Sequence, residues 1–345
     1  MLNFADARIA LLAAHRVGNK SKKEANFISQ ELIQMNDVLE DVMFRFFVKP
    51  LKKSYDKYQF THHAEIEHNE LYQYCKKIFQ DQTNLLEQSA HILNHLYEQS
   101  DHPNIKTGEL YVAFFRDIQA DDEMLTGIGI FKTEKRSKFL KINEENNALG
   151  IEAYEGILAE KMDKGCIILN SEEQDGYKIY TYDNNNYDTQ YWTNRFLNVV
   201  QIADDHFHTK QYVDLCSAFS ESVIAPLQDQ SKKVDFLSRS SEYFNNHDYF
   251  DVDEFATEMM PSQQAKDQFN DWREDFGLEE VEQFSISKPG FREAKKAFKG
   301  LIQLDTEIEI KIGLKNPEEK EKFIERGFDA EKGMSFYKVY FNEEF

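Results

Sequence analysis

Cysteine is nearly missing. Only Cys75, Cys166 and Cys216 occur in 345 residues, far apart and never as Cys-x-x-Cys. That excludes a zinc knuckle and a dithiol redox motif. An odd, scattered count suits a reducing compartment, where a free Cys is a small buried hydrophobe. Proline and glycine are sparse, at 6 and 14, which argues for long regular elements over a loop-rich fold. Long apolar runs are absent too. Ile9 to Ala14 is far too short for a membrane span or a secretory core, so a cytoplasmic protein with no membrane attachment is expected. Phosphate-cradling loops are not found. Gly127-Ile128-Gly129 lacks a third glycine, and in Gly18-Asn19-Lys20-Ser21 the Asn separates Gly from Lys while Ala13 holds the leading Gly position. No Gly-x-Ser-x-Gly elbow and no Cys with a His partner in sequence context appear. No motif demands catalysis, so a non-enzymatic protein without cofactor is expected.

Positive charge is also short. Lys and Arg number 41 against 62 Asp and Glu, a net charge of −21. Binding to nucleic acid draws on counterion release by Lys and Arg, so this chain can hold a polyanion only through local positive patches. What is abundant is aromatic: 28 Phe and 17 Tyr, within 41% hydrophobic residues. That is enough to fill a core and excludes global disorder.

Along the chain, Ala7 to His15 reads as a short buried strand. Leu32, Met35, Leu39, Val42 and Phe46 recur at helical spacing, with Pro50 near the end. Leu71 to Glu98 carries a second, long helical stripe. After the turn cluster Asp101 to Asn104, strands dominate to Tyr182. Leu110 to Phe115 is one. Met124 to Phe131 and Phe139 to Ile142 suggest a hairpin with a charged connection, and Gly165 to Leu169 with Tyr177 to Tyr182 a second hairpin across Ser171 to Gly176. Helical patterns return at Phe196, Val199 and Val200, at Tyr212 to Val223, at Phe250 to Met260, at Gln264 to Phe276 and at Ser287 to Leu301. Glu307 to Ile312 and Ser335 to Phe341 read as terminal strands. The sum is an α+β fold: N-terminal helices with a mostly antiparallel sheet, then a helical region and a small C-terminal β element. A division into 1–185 and 186–345 is expected.

Charge is unevenly spread. In the helix after Ser287, Phe291, Ala294, Phe298 and Leu301 form one stripe, and Arg292, Lys295, Lys296 and Lys299 another. Lys288 adds to the cations and only Glu293 offsets them, so the row suits phosphate contacts, although most such runs are merely solvated. The expected hairpin tip offers a second group, Lys132, Lys135, Arg136 and Lys138, with Lys141 beyond, against Glu134. Between Glu242 and Glu282, thirteen acids face only Lys266 and Arg273, a surface suited to solubility or to a basic partner. Asp204, Asp205, His206 and His208 form a metal-like cluster. Asp204 and His208 would share a helix face, but without a further ligand motif they are weak metal candidates, and a metal-dependent hydrolase is the least favoured reading.

Several segments together resemble the bacterial nucleoid-associated family known as YejK or NdpA, in its Bacteroidetes-type form. They are Thr107 to Arg116, Gly129 to Thr133 with Phe139 to Ile142, Tyr191 to Leu197, Asp204 to Cys216, Lys295 to Lys299 and Met334 to Tyr340. The resemblance implies a nucleoid location, binding to DNA and to single-stranded nucleic acid, and type II or type IA topoisomerases as partners. It carries no catalytic residues. The expectation is therefore a DNA-binding architectural or regulatory protein without sequence readout, whose contacts are Lys288, Arg292, Lys295, Lys296, Lys299, Lys132, Lys135, Arg136 and Lys138. The alternative is an interaction protein that engages a topoisomerase, or another DNA-bound partner, through its acidic surface. The sequence leaves the oligomeric state open.

Overall fold

Alternation and caps in the first two hundred residues build a layered sheet domain. The computed structural model describes residues 2–52, 54–103, 105–145, 148–184, 191–227, 230–313 and 323–343. It is α+β and divides into two compact units, Met1–Ile202 and Ala203–Phe345. The boundary expected after 185 falls in 185–190, outside the described residues.

In the first unit β1 (Arg8–Val17) is followed by α1 (Asp37–Leu51), which Asn36 caps by accepting from Leu39 N. The expected stripe is displaced. Leu32 and Met35 precede the helix, Val38, Leu39 and Val42 are exposed, and the buried face is Phe46, Phe47, Val48 and Leu51. Next come β2 (Tyr58–Phe60), α2 (Glu70–Gln80) and α3 (Leu85–Gln99). The single long helix expected over 71–98 is two, because Asp81 is extended and its carboxylate accepts from Thr83 N at 2.9 Å.

Strands β3 (Gly108–Ala120) and β4 (Glu123–Thr133) are joined through Asp121 and Asp122, both at positive φ. Then β5 (Ser137–Glu145) pairs with β6 (Ala148–Gly156), and β7 (Lys164–Leu169) with β8 (Lys178–Asp183) across the expected turn. The hairpin expected between 124–131 and 139–142 does not form. β4 pairs with β7, from Gly127↔Leu169 to Lys132↔Lys164, and β5–β6 is a separate two-stranded ribbon. The helix expected at Phe196 is a π-helical turn, Tyr191–Leu197, ended by Asn198 at φ 50° before β9 (Val199–Gln201).

The main sheet is antiparallel, in the order β1-β3-β4-β7-β8-β2-β9. Helices α2 and α3 cover one face, packing Leu71, Cys75, Ile92 and Leu96 on Val112, Ile128 and Ile168. Helix α1 covers the other, with Phe47 on Phe131 at 4.2 Å between centroids. Burial on both faces explains why β4 and β7 are continuously apolar instead of alternating. It also explains Gly129, where a Cβ would lie 2.4 Å from the Phe131 ring. That glycine serves packing and not phosphate binding.

The second unit runs α4 (Asp205–Phe219), α5 (Ala225–Leu227), α6 (Gln230–Asn246), β10 (Tyr249–Asp251), α7 (Val252–Met259), α8 (Gln263–Asp275), β11 (Gln283–Ser285) and α9 (Lys288–Ala294). Three small hairpins accompany them: β10 with β11, β12 (Leu301–Gln303) with β13 (Glu309–Lys311), and β14 (Ile324–Asp329) with β15 (Met334–Val339). Much of the Phe content goes here. Phe250 lies within 4.5 Å of Tyr212 and 4.9 Å of Phe255 and Phe284, centroid to centroid. No helix among the described residues is long and apolar enough to cross a membrane.

Candidate nucleic-acid interface

The cationic segment of the second unit is anchored from below. Ser287 caps α9, its Oγ accepting from Gly290 N at 3.2 Å, and Pro289 opens the helix. The same Oγ hydrogen-bonds His206 Nδ1 at 3.0 Å, while Ser287 N donates to Thr209 Oγ1 at 2.9 Å. Both partners belong to α4. Gly290 makes this approach possible, since a Cβ there would stand 3.1 Å from His206 Nδ1 and from the His206 carbonyl. Phe291 stacks on Phe244 at 5.5 Å, and Ala294 and Phe298 are buried beside it.

The helix is shorter than expected. It stops at Ala294, a 3₁₀ turn covers Lys295–Ala297, and Leu301 already belongs to β12. The two stripes persist all the same, because i,i+3 spacing holds through a 3₁₀ turn. Phe291, Ala294 and Phe298 face inward, whereas Arg292, Lys295, Lys296 and Lys299 are exposed. Among the described residues no carboxylate lies within 4.0 Å of those four cations. The local acid, Glu293, turns to α4 instead, 3.5 Å from His206 Nε2 and 3.6 Å from Lys210 Nζ.

Lys288 does not join them. Its Nζ donates to the carbonyls of Phe244 at 3.2 Å and Asn245 at 2.9 Å, and to that of His247. It satisfies the open C-terminal end of α6. One cation escaped the sequence reading: Lys311, exposed on β13, is paired opposite Leu301, two residues from Lys299. The signal lay in strand pairing, which a linear charge count does not see.

The cations of the first unit have other duties. They line the neck between β4 and β5, not a hairpin tip. Lys132 is fully buried, donating to Glu134 Oε1 at 2.8 Å and the Lys106 carbonyl at 3.0 Å, with the Tyr191 ring 5.7 Å away. Burial pulls its pKa down, against the pull of Glu134. Lys164 sits beside it, bonded to Asp183 at 2.5 Å. Lys135 pairs with Asp163 at 3.5 Å and Arg136 with Glu109. Lys138 is exposed on β5. Four of the nine expected contacts thus lie together on one short stretch, and four of the other five are engaged by carboxylates or carbonyls of the protein.

Among the described residues Asp204 and His208 belong to no group of three side chains close enough to hold a metal ion. Asp204 is the N-cap, extended and outside the helix, its Oδ1 accepting from Phe207 N at 3.0 Å. His208 packs its ring against Phe207 and Phe284. Capping occupies the Asp204 carboxylate and ring packing the His208 imidazole. The Gly18–Ser21 loop closes on itself, Asn19 accepting from Lys22 N at 3.0 Å. Burial raises the pKa of all three thiols, which leaves them poor nucleophiles.

The acidic stretch is a true surface. Twelve of the thirteen acids between Glu242 and Glu282 are exposed. Arg273 is turned inward, donating to Tyr212 Oη at 3.1 Å and to the carbonyls of Leu278, Glu279 and Val281 at 3.2 Å. A family model described as nucleoid-associated protein YejK matches residues 14–332. No curated protein matches the chain.

Proposed function

The chain belongs to the nucleoid-associated protein YejK family, a family not defined by an enzymatic activity, and on that premise we propose that it binds DNA directly and without sequence readout. Arg292, Lys295, Lys296 and Lys299, joined by Lys311, are the phosphate contacts, and the nucleoid within the cytoplasm is the site of action. One observation carries this reading: four exposed cations stand together while the neighbouring Glu293 is drawn off to His206 and Lys210. An exposed cationic row of this kind suits phosphate contacts, which position a protein on DNA without carrying sequence information.

The acidic face supports a second role for the same protein, docking of a basic, DNA-bound partner such as a topoisomerase. Its support is the exposure of twelve acids combined with the inward turn of Arg273.

A single set of variants separates the two. For wild type, log affinity for duplex DNA should fall with log salt at a slope near −4.5, about −0.9 for each of five phosphates. Reversal of Arg292, Lys295, Lys296 and Lys299 to Glu should flatten that slope and abolish measurable binding. Unchanged affinity or slope removes the site. Conversion of Asp267, Asp271, Glu274 and Asp275 to amides should leave DNA binding intact and weaken capture of topoisomerase. If the charge reversals and not the amides weaken that capture, the acidic face is not the docking surface.

A further inference from the structure

Helix α6 lays four side chains along one side of itself. Lys232, Asp235, Phe236 and Arg239 follow one another at i, i+3, i+4 and i+7. Beside them lies a cavity of about 270 Å³ within the second unit. Its apolar lining is Ile224 from the π-helical turn Ser220–Ile224, Phe236, and Met259 at the end of α7, with the exposed Pro261 as a wall. Ile224, Phe236 and Met259 belong to the buried core of the unit, and Phe236 is braced on Phe219 at 5.9 Å between ring centroids. The apolar side of the hollow is therefore set in a packed framework.

The polar side is charged in the order plus, minus, plus. Lys232 is exposed, while the side chains of Asp235 and Arg239 are 28% and 39% exposed. Arg239 Nη1 and Asp235 Oδ2 stand 4.0 Å apart, beyond hydrogen-bond distance, so this i,i+4 pair is loose. Arg239 Nη2 donates to the Glu258 carbonyl, which fixes the guanidinium against the last turn of α7. A carboxylate and a guanidinium are thus held one helical turn apart at the edge of an apolar hollow.

The order of charges decides the class of occupant. A phosphate or a simple carboxylate that reached Arg239 would be repelled by Asp235, and an amine that reached Asp235 would face two cations. A zwitterion answers both. In an α-amino acid one carbon carries the ammonium, the carboxylate and the side chain together. The volume lies just under the range of drug-sized sites, about 300–1,000 Å³, and suits one branched or aromatic side chain. We propose that this cavity binds a free apolar α-amino acid of the leucine or phenylalanine kind. Its carboxylate pairs with Arg239 and its ammonium with Asp235. Its side chain enters the space between Ile224, Phe236 and Met259, and Lys232 at the mouth adds to the field that holds the carboxylate.

Isothermal titration calorimetry of L-phenylalanine and L-leucine into the full chain tests this. Saturable binding at one site per chain is expected for both. Glycine, which has both charges and no side chain, should not bind measurably. N-acetyl-L-phenylalanine lacks the ammonium and L-phenylalanine amide lacks the carboxylate, and each should bind about tenfold more weakly than phenylalanine. Asp235→Asn should weaken phenylalanine about tenfold and leave the N-acetyl derivative unchanged. Arg239→Gln, which keeps a donor for the Glu258 carbonyl, should weaken phenylalanine by a similar factor and leave the amide unchanged. A variant that merely misfolds loses every probe alike, so the crossed pattern separates recognition from stability. Absence of saturable binding by both phenylalanine and leucine overturns the proposal. So does an N-acetyl derivative that binds as tightly as its parent, or a pair of variants that weaken all probes equally.

Discussion

Lys132 shows how far a lysine's surroundings outweigh its type. Desolvation and Glu134 act on it in opposite directions, and desolvation is the larger. Its folded pKa therefore lies below 10.5, and between those two values the unfolded chain binds the more protons. Stability from this group is lowest where Lys132 is charged in the native state. It rises as pH climbs through the lowered pKa toward 10.5, by about 1.4 kcal/mol for each unit of depression. Urea unfolding of wild type and Lys132→Met at neutral and at alkaline pH checks this. Wild type should gain on the variant as pH rises, and parallel curves would refute the assignment. Arg273 makes a related point. A cation that sequence places in an acidic surface instead satisfies the Tyr212 hydroxyl and three backbone carbonyls within the unit, because a buried carbonyl must find a donor.

At the scale of the element, α9 has only seven residues, too few to be helical without tertiary support. The Ser287 cap and the hydrogen bonds to His206 and Thr209 hold it, and with it the aim of the cations that follow. Gly290→Val keeps every charge yet drives a branched side chain into His206, where even a Cβ stands at 3.1 Å. DNA affinity should drop about tenfold, or roughly 1.4 kcal/mol, in a filter-binding or anisotropy titration. If affinity is retained, net charge alone carries binding and the orientation of α9 is irrelevant. Elements also explain two corrections. Lys135 and Arg136 mimic a basic hairpin tip in sequence, but their partners Asp163 and Glu109 lie 28 and 27 residues away. Strand β4 likewise finds β7 more than thirty residues on, past a ribbon that the local alternation around Phe139 cannot distinguish from a sheet neighbour.

On the scale of the whole molecule, both units are acidic. The first holds 23 Lys and Arg against 31 Asp and Glu, and the second 18 against 31. Neither is a basic DNA-binding body, and any contact with a polyanion works against the field of the rest. The consequence is testable through ionic strength. The screening length grows from about 10 Å at 0.1 M to about 30 Å at 0.01 M. Repulsion from distant acids should therefore emerge as salt is lowered, and the plot of log affinity against log salt should bend over below about 0.03 M. A line that stays straight to the lowest salt means that the acids lie too far from the bound DNA to matter.

Composition and spacing determined the α+β class, the inert cysteines, the second hairpin and the split between the apolar and cationic positions of 291–299. Each depends on neighbours a few residues apart or on totals, and such terms are written locally. Tertiary structure alone decided which charges are spent and which are left over. Lys288 caps α6, Lys132 and Arg136 answer acids in the sheet domain, Glu293 is drawn to α4, and Arg292 to Lys299 remain in water. A charge becomes available only when the fold supplies it no counterion, and counterions arrive from segments distant in the chain.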